Sequence, residues 1–455
     1  MLAHIETIKT RRFGITLMAW MLGMAFANSV LAQKPADEAR AVSSSDTAIL
    51  ATIEADGDAA LSFLEDVVNV NSGTLNVIGV RAVGDMFAQE FEAIGFATRW
   101  IDMPEEMARA GHMVATRTFG AGKGPHLLLI GHLDTVFEEN SPFQTFERDG
   151  DIARGPGIAD MKGGNVAVLY ALKALVENDA LRDGKITVFF TGDEETAGSP
   201  LTLARKELIA AGKAADVALN FEGMSPGYAV IGRRGSSNWS VEVTAKQAHS
   251  SGIFNDSVGA GAAFELARIL NRFYGEVRGP FGLTFNAGVV AAGTIVEAGR
   301  TKSDQSAYGK GNVVPNKAVA NGGLRFMNEA QKEAAREAMR KIVAASLPQT
   351  TATITFEDRY PAMEASPANE ALLARLNSVH ARLGELPVES FPPERRGAAD
   401  ISFVAPYVTG MDGLGVDGQG AHSPRELMYV PSLAFATRRA ALLIADLINN
   451  PDDGA

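Results

Sequence analysis

What most constrains this chain is the alternation, from about residue 47 to 233, of short apolar runs with stretches of helical period. Leu127–Ile130, Ile186–Phe190 and Val217–Phe221 are predominantly apolar at successive positions, so each reads as a strand buried on both faces. Between them, Val166–Val176 places apolar residues at 168, 169, 172, 175 and 176, which share one face of a helix. Doubly buried strands separated by helices predict an α/β layer built on a mostly parallel sheet. With 455 residues the chain exceeds the roughly 100–200 that one domain takes, so a second domain is expected.

The pattern changes at about 235. A strand over 237–244, a helix over 257–274, strands near 283–298 and 317–325, a helix over 328–346 and a strand over 352–357 follow one another. That order, β-α-β-β-α-β, is the ferredoxin-like open-faced sandwich. The first pattern then returns with a helix over 368–383, a glycine-rich stretch at 412–420 and a closing helix over 432–448. The expected organisation is a large domain in two parts, 47–234 and 358–455, interrupted by a smaller one at 235–357.

Ahead of these lies an address. Lys9, Arg11 and Arg12 precede an apolar run from Phe13 to about Phe26, and Val30-Leu31-Ala32 stand before polar Gln33, the layout of a cleaved secretory signal over residues 1–32 with the cut after Ala32. The competing reading, an uncleaved anchor, needs roughly 20 apolar residues, and Gly14, Gly23 and Asn28 interrupt this run. The arginine pair hints at twin-arginine export, but Phe13-Gly14 fits that pattern poorly, which leaves the general secretory route. Residues 33–46, rich in Ala, Ser and charge without an apolar period, read as a flexible leader. The expected location is periplasmic or secreted.

Composition narrows the chemistry. Hydrophobic residues at 46% and charged residues at 21% exclude a disordered or fibrous chain. Forty-two Lys and Arg against 54 Asp and Glu give a net charge of −12 with no basic run, which argues against nucleic-acid or anionic-membrane partners. The chain has no cysteine, so disulfides, thiolate nucleophiles and Cys-ligated metals are excluded. Any metal must be held by histidines and carboxylates.

Those residues gather at strand ends. The strand from His126 finishes Gly131-His132-Leu133-Asp134, where a period of two puts His132 and Asp134 on one side. An imidazole there can bind metal while the carboxylate takes its other N–H. Alone, the pair is also what a hydrogen-bonded surface couple looks like. Gly155-Pro156-Gly157-Ile158-Ala159-Asp160-Met161-Lys162-Gly163-Gly164 folds glycines around one acid before a helix. Such loops also cradle phosphates, but the Lys-Ser/Thr of a P-loop is missing, and a central carboxylate suits a cation. Asp193-Glu194-Glu195 follow the run Ile186–Phe190; three adjacent acids at a buried strand mouth repel unless a cation or proton compensates, although a solvated acidic turn has the same sequence. Glu222 ends another strand, and His422 sits in Gly420-Ala421-His422-Ser423-Pro424. Carboxyl ends of strands in an open α/β sheet are where ligands bind.

This ordered set resembles the di-zinc family of glutamate carboxypeptidases, aminoacylases, acetylornithine deacetylases and succinyl-diaminopimelate desuccinylases, across essentially the whole chain after the signal. The resemblance implies two Zn²⁺ per chain, with Co²⁺ or Mn²⁺ as substitutes. It implies that His132 and Glu222 hold one ion, Glu195 and His422 the other, and Asp160 bridges them, while Asp134 orients His132 and Glu194 is the general base. It also implies a homodimer through the inserted domain acting as a lid, in which His249 and Asn312 reach the reacting carbonyl from the partner subunit and Arg325 grips the free carboxylate of the substrate. Without the resemblance, His249 reads as a turn cap, Asn312 as a turn residue and Arg325 as an edge-strand cation.

Four histidines stay outside this set: His4 lies in the signal, His126 reads as structural, His380 as a surface or interface residue, and His112 carries no assignment. Two departures stand out. Gly397-Ala398-Ala399-Asp400 lacks the Ser or Thr usual before that aspartate, and Arg233-Arg234 put two unexplained cations at the domain junction. The expected activity is hydrolysis of an amide bond beside a free carboxylate, with a glutamate carboxypeptidase-like exopeptidase leading. An N-acyl-amino-acid deacylase is the alternative, and a non-catalytic periplasmic metal or peptide binder the third reading; a binder would be expected to have lost Glu194, which is present.

Overall fold

In a computed structural model, residues 43–299 and 304–451 are described. The signal, and the leader up to residue 42, lie outside them. Helix Ser44–Ala55 begins inside the stretch read as a leader. Its start is fixed by a capping box: the Ser43 hydroxyl accepts from the Asp46 N–H and the Asp46 carboxylate from the Ser43 N–H.

The larger sheet has six strands in the order Ala97–Ile101, His112–Phe119, Gly184–Thr191, His126–His132, Val217–Asn220 and Thr409–Met411. The first two are antiparallel to their neighbours, and from Gly184–Thr191 onward every pairing is parallel. Both faces are buried, as the apolar runs predict. Leu127, Leu129, Val188, Phe190 and Leu219 pack to one side with helices Gly163–Glu177 and Pro431–Asn449. Leu128, Ile130, Phe189 and Ala218 pack to the other with Leu208 and Val404. Alternate residues of one strand therefore feed two cores, which leaves the strand's end as the place where polar side chains can stand.

The second sheet is antiparallel and uses residues 235–358. Gly235–Ala245 lies between Lys317–Phe326 and Thr350–Asp358, and the far edge of Lys317–Phe326 pairs with Thr284–Phe285 and Val289–Gly293 end to end. Helices Gly261–Arg272 and Glu329–Ala344 cover one face through Leu266, Ile269, Met339 and Ile342, against Trp239, Val241 and Val243. The long elements run strand, helix, strand, helix, strand, with four short strands between the first helix and Lys317–Phe326. The strand expected near 283–298 is instead broken, and Ile295–Ala298 leaves the sheet to pair with Gln305–Tyr308. At the junction the outgoing and returning segments pair: Arg233 and Met363 exchange both backbone hydrogen bonds, and the Ser236 N–H donates to the Tyr360 carbonyl.

A small antiparallel sheet, Gly418–Gln419, Leu427–Tyr429, Ile152–Arg154 and Glu147–Asp149, completes the arrangement. Its first hairpin carries the loop with His422. Among the described residues no helix is long and apolar enough to cross a membrane.

Candidate metal centre

His132 is the last residue of its strand and is buried. Its Nδ1 lies 2.9 Å from the Asp134 carbonyl and 3.5 Å from the Asp134 carboxylate. A carbonyl only accepts, so in that contact Nδ1 carries the hydrogen and Nε2 is left to ligate. Asp134 thus meets the ring through its backbone carbonyl and, at longer range, through its carboxylate. The same carboxylate accepts the Glu194 N–H at 3.0 Å, the Glu195 N–H at 3.1 Å and the Thr74 hydroxyl at 2.6 Å. Asp134 therefore ties the acidic loop to the strand end.

Asp160 precedes helix Gly163–Glu177 in a tight turn that Gly157 enters at φ +73°. Gly164 lets that helix start against the strand bearing Glu222, since a Cβ there would come within 2.0 Å of the Phe221 carbonyl oxygen. The Asp160 carboxylate then points its two oxygens in different directions. Oδ1 is 3.3 Å from His132 Nε2, which is also 3.7 Å from Glu222. Oδ2 is 3.2 Å from His422 Nε2, itself 3.1 Å from Glu195. Ligand atoms of His132, Asp160 and Glu195 all lie within 4.8 Å of one another. His422 reaches the cluster from a left-handed backbone conformation, φ 61°, which a non-glycine residue adopts at a cost of order 1–3 kcal/mol when its surroundings impose it.

These separations suit divalent ions. A tetrahedral ion with nitrogen and oxygen donors at about 2.0–2.2 Å holds any two of them about 3.3–3.6 Å apart. The donor pairs here, at 3.1–3.7 Å, bracket that edge. The charges agree. Burial pushes the Glu194 carboxyl well above the usual range, and burial together with Asp160 pushes Glu222 up to about 8. Burial opposes ionisation of Asp160 as well, but hydrogen bonds from His132 and His422 hold it low, and the same contact with Asp160, joined by Glu195, pushes His422 up to about 11. Acids brought this close need positive charge among them, and a pair of dications supplies it.

Asp193, the first of the three adjacent acids, turns away from the cluster. It pairs with buried Arg205 at 2.6 Å, and Arg205 also holds Asp400 at 2.8 Å. His112 lies beneath the same loop, Nε2 2.9 Å from the Ala204 carbonyl and Nδ1 accepting the Gly192 N–H at 3.3 Å. Burial lowers its pKa and keeps the ring neutral. His126 bonds the Ala214 carbonyl and Thr187, a structural role. His380 corrects the expectation of a surface residue: only 3% exposed, its Nδ1 meets the Leu386 carbonyl, because its helix face turns inward.

Glu426 carries no sequence signal beyond its closeness to His422. It is fully buried, accepts the Ala159 and Asp160 N–H groups through one oxygen and the Gly157 N–H through the other, and so shapes the turn that aims Asp160. Lys162 anchors the far side of that turn to the Val67 and Val70 carbonyls.

Asp160, Glu194, Glu222 and His422 open onto a cavity of about 440 Å³, which Arg233 and Arg396 also line. His249, Asn312 and Arg325 are not among its walls. The first two lie side by side on the second sheet's loops, where the Ser250 N–H donates to the Asn312 carbonyl and His249 bonds Ser251. Arg325 stands on Lys317–Phe326 with Arg234 as its charged neighbour. Among the described residues these three are not brought to the cavity of their own chain; they belong to the second sheet, which is joined to the larger one through the junction.

The family model described as peptidase family M20/M25/M40 matches residues 128–446. Carboxypeptidase G2 of Pseudomonas sp. (strain RS-16) is 28% identical over 449 residues, covering 95% of this chain and 97% of that protein. A succinyl-diaminopimelate desuccinylase of Gluconacetobacter diazotrophicus is 25% identical over 388 residues, covering 83% and 94%. Among solved structures, a tripeptidase of Staphylococcus aureus superposes with a TM-score of 0.67 at 19% identity, covering 87% of this chain and 99% of that one.

Proposed function

The chain belongs to peptidase family M20/M25/M40, and on that premise we propose that this hydrolase is a di-zinc exopeptidase that releases a C-terminal residue by cleaving an amide bond beside a free carboxylate. The observation that carries the proposal is the division of the Asp160 carboxylate between the His132–Glu222 pair and the His422–Glu195 pair. Those five residues would hold two ions, with Asp160 between them. Bound there, the ions would lower the pKa of a shared water and polarise the scissile carbonyl. Glu194 carries the proton. Its carboxylate lines the cavity and its N–H is fixed by Asp134. It takes a proton from the attacking water and delivers it to the departing nitrogen.

The deacylase reading keeps a specific support, the 25% identity to a desuccinylase over 83% of the chain. A panel pairing dipeptides and folyl-glutamate with acetylated and succinylated amino acids separates the two. We also propose a homodimer in which His249 and Asn312 serve the neighbouring site, since neither lines the cavity of its own chain. The reaction itself is tested with Glu194→Gln. The variant is expected to keep two zinc ions per chain by elemental analysis while turnover falls about 10²–10⁴-fold. Unchanged turnover would remove Glu194 from the proton transfer.

A further inference from the structure

The cavity holds two arginines in different states. Arg233 is spent: its guanidinium meets Asp412 through Nε at 2.6 Å and Nη2 at 2.5 Å, and Nη1 donates to the Gly397 carbonyl at 2.7 Å. The first of the two unexplained junction cations is thus a buried ion pair. Arg396 is not spent. Nη2 donates to the Gly223 carbonyl at 2.6 Å and Nη1 makes one long contact, 3.4 Å, with the Ser225 hydroxyl. The Phe391 ring lies 5.7 Å from the guanidinium carbon. Among the described residues no carboxylate comes within 4.0 Å of it. Burial and the Arg233 charge both press this group to lose its proton, and Asp412, Glu222 and Asp160 oppose them from further off. Once Glu222 and Asp160 ligate dications, that distant compensation weakens. The wall beyond it, Gly397-Ala398, offers no side-chain hydrogen-bonding group.

We propose that Arg396 is a substrate-binding residue that receives a carboxylate of the substrate in the cavity beside Glu222. The proposal rests on the hydrolase reading above and narrows its substrate class to acids that can place an anion there. A guanidinium held by a carbonyl on one edge presents its remaining N–H groups as a fork, which matches a carboxylate and not a carboxamide. The carboxylate comes either from the α-position of the released residue or from an acidic side chain such as that of glutamate. Both offer the same two oxygens.

The test compares glycyl-glutamate with glycyl-glutamine, and glycyl-glutamate with its α-amide, on wild type, Arg396→Gln and Arg396→Lys. The wild type is expected to favour the carboxylate of one pair about 10–100-fold in kcat/KM, the scale of a hydrogen-bonded charge pair. The affected pair identifies which carboxylate binds. In Arg396→Gln that preference collapses toward one through KM rather than kcat, and Arg396→Lys, which keeps the charge but loses the fork, falls between. Calorimetric binding of the same dipeptides to Glu194→Gln, with and without Arg396→Gln, reads the contact without turnover. Equal affinity in those two proteins, or an undiminished carboxylate preference in Arg396→Gln, overturns the proposal. A wild type that hydrolyses nothing in the panel defeats the exopeptidase reading instead, and the calorimetry still decides Arg396.

Discussion

Asp160 reaches both histidines only because the peptide around it is held, and the holder is Glu426. A buried carboxylate accepting three backbone N–H groups leaves three orphan donors when it is removed, each costing on the order of 1–3 kcal/mol. Glu426→Ala should therefore weaken metal binding about 10–100-fold by chelator competition, the scale seen when groups supporting ligands are lost; unchanged affinity would mean the turn holds its shape unaided. The residues gathered around Asp160 were legible in the sequence because each stands where a recognisable local pattern stops: His132 and Glu222 at strand ends, Asp160 among glycines, His422 after Gly420. Glu426, Thr74 and Arg205 were not, since each acts on a residue 60 or more positions away or on a surrounding that no local spacing records. Arg396 belongs with them: its contacts, with the Gly223 carbonyl and the Ser225 hydroxyl, lie more than 170 positions away in the chain.

The loop that carries Glu194 and Glu195 is a suspended element, tied above by Asp134 and below by Arg205 and His112. The lower tie depends on pH. His112 must stay neutral for Nδ1 to accept the Gly192 N–H, and burial depresses its pKa below the ordinary 6.5. The unfolded chain binds that proton first, so the stability this tie contributes is complete above about pH 6.5 and is lost as pH falls from there toward the lowered native value. His112→Gln offers one donor and one acceptor without titrating. Its melting temperature should change less than that of the wild type between pH 7.5 and 5.5, and identical slopes would show that the ring's proton is not felt by the fold. At this scale the sequence reading succeeded where packing is repetitive, as in Leu127–Ile130, which fills two cores by simple alternation. It stumbled where pairing changes partners: the stretch 283–298 is uniformly strand-like, yet Gly293 and Thr294 hand it from one sheet to a separate hairpin.

Across the whole molecule the chain leaves the larger sheet and returns through one paired junction, with Arg233 against Met363 and the Tyr360 hydroxyl donating to the Glu194 carbonyl at 2.9 Å. Everything the inserted domain contributes to chemistry must pass across that junction or come from a second copy. If His249 serves the neighbouring active site, then mixing inactive Glu194→Gln with inactive His249→Ala should restore roughly a quarter of wild-type activity, because half of randomly paired twofold dimers contain one intact site. No recovery after subunit exchange, verified by mass, would return His249 to its own chain.

The split carboxylate of Asp160 has one more outcome. It joins His132 to His422, and the whole inserted domain is translated between them. A ribosome carrying the growing polypeptide therefore bears no assembled centre before the inserted domain and His422 have both been made.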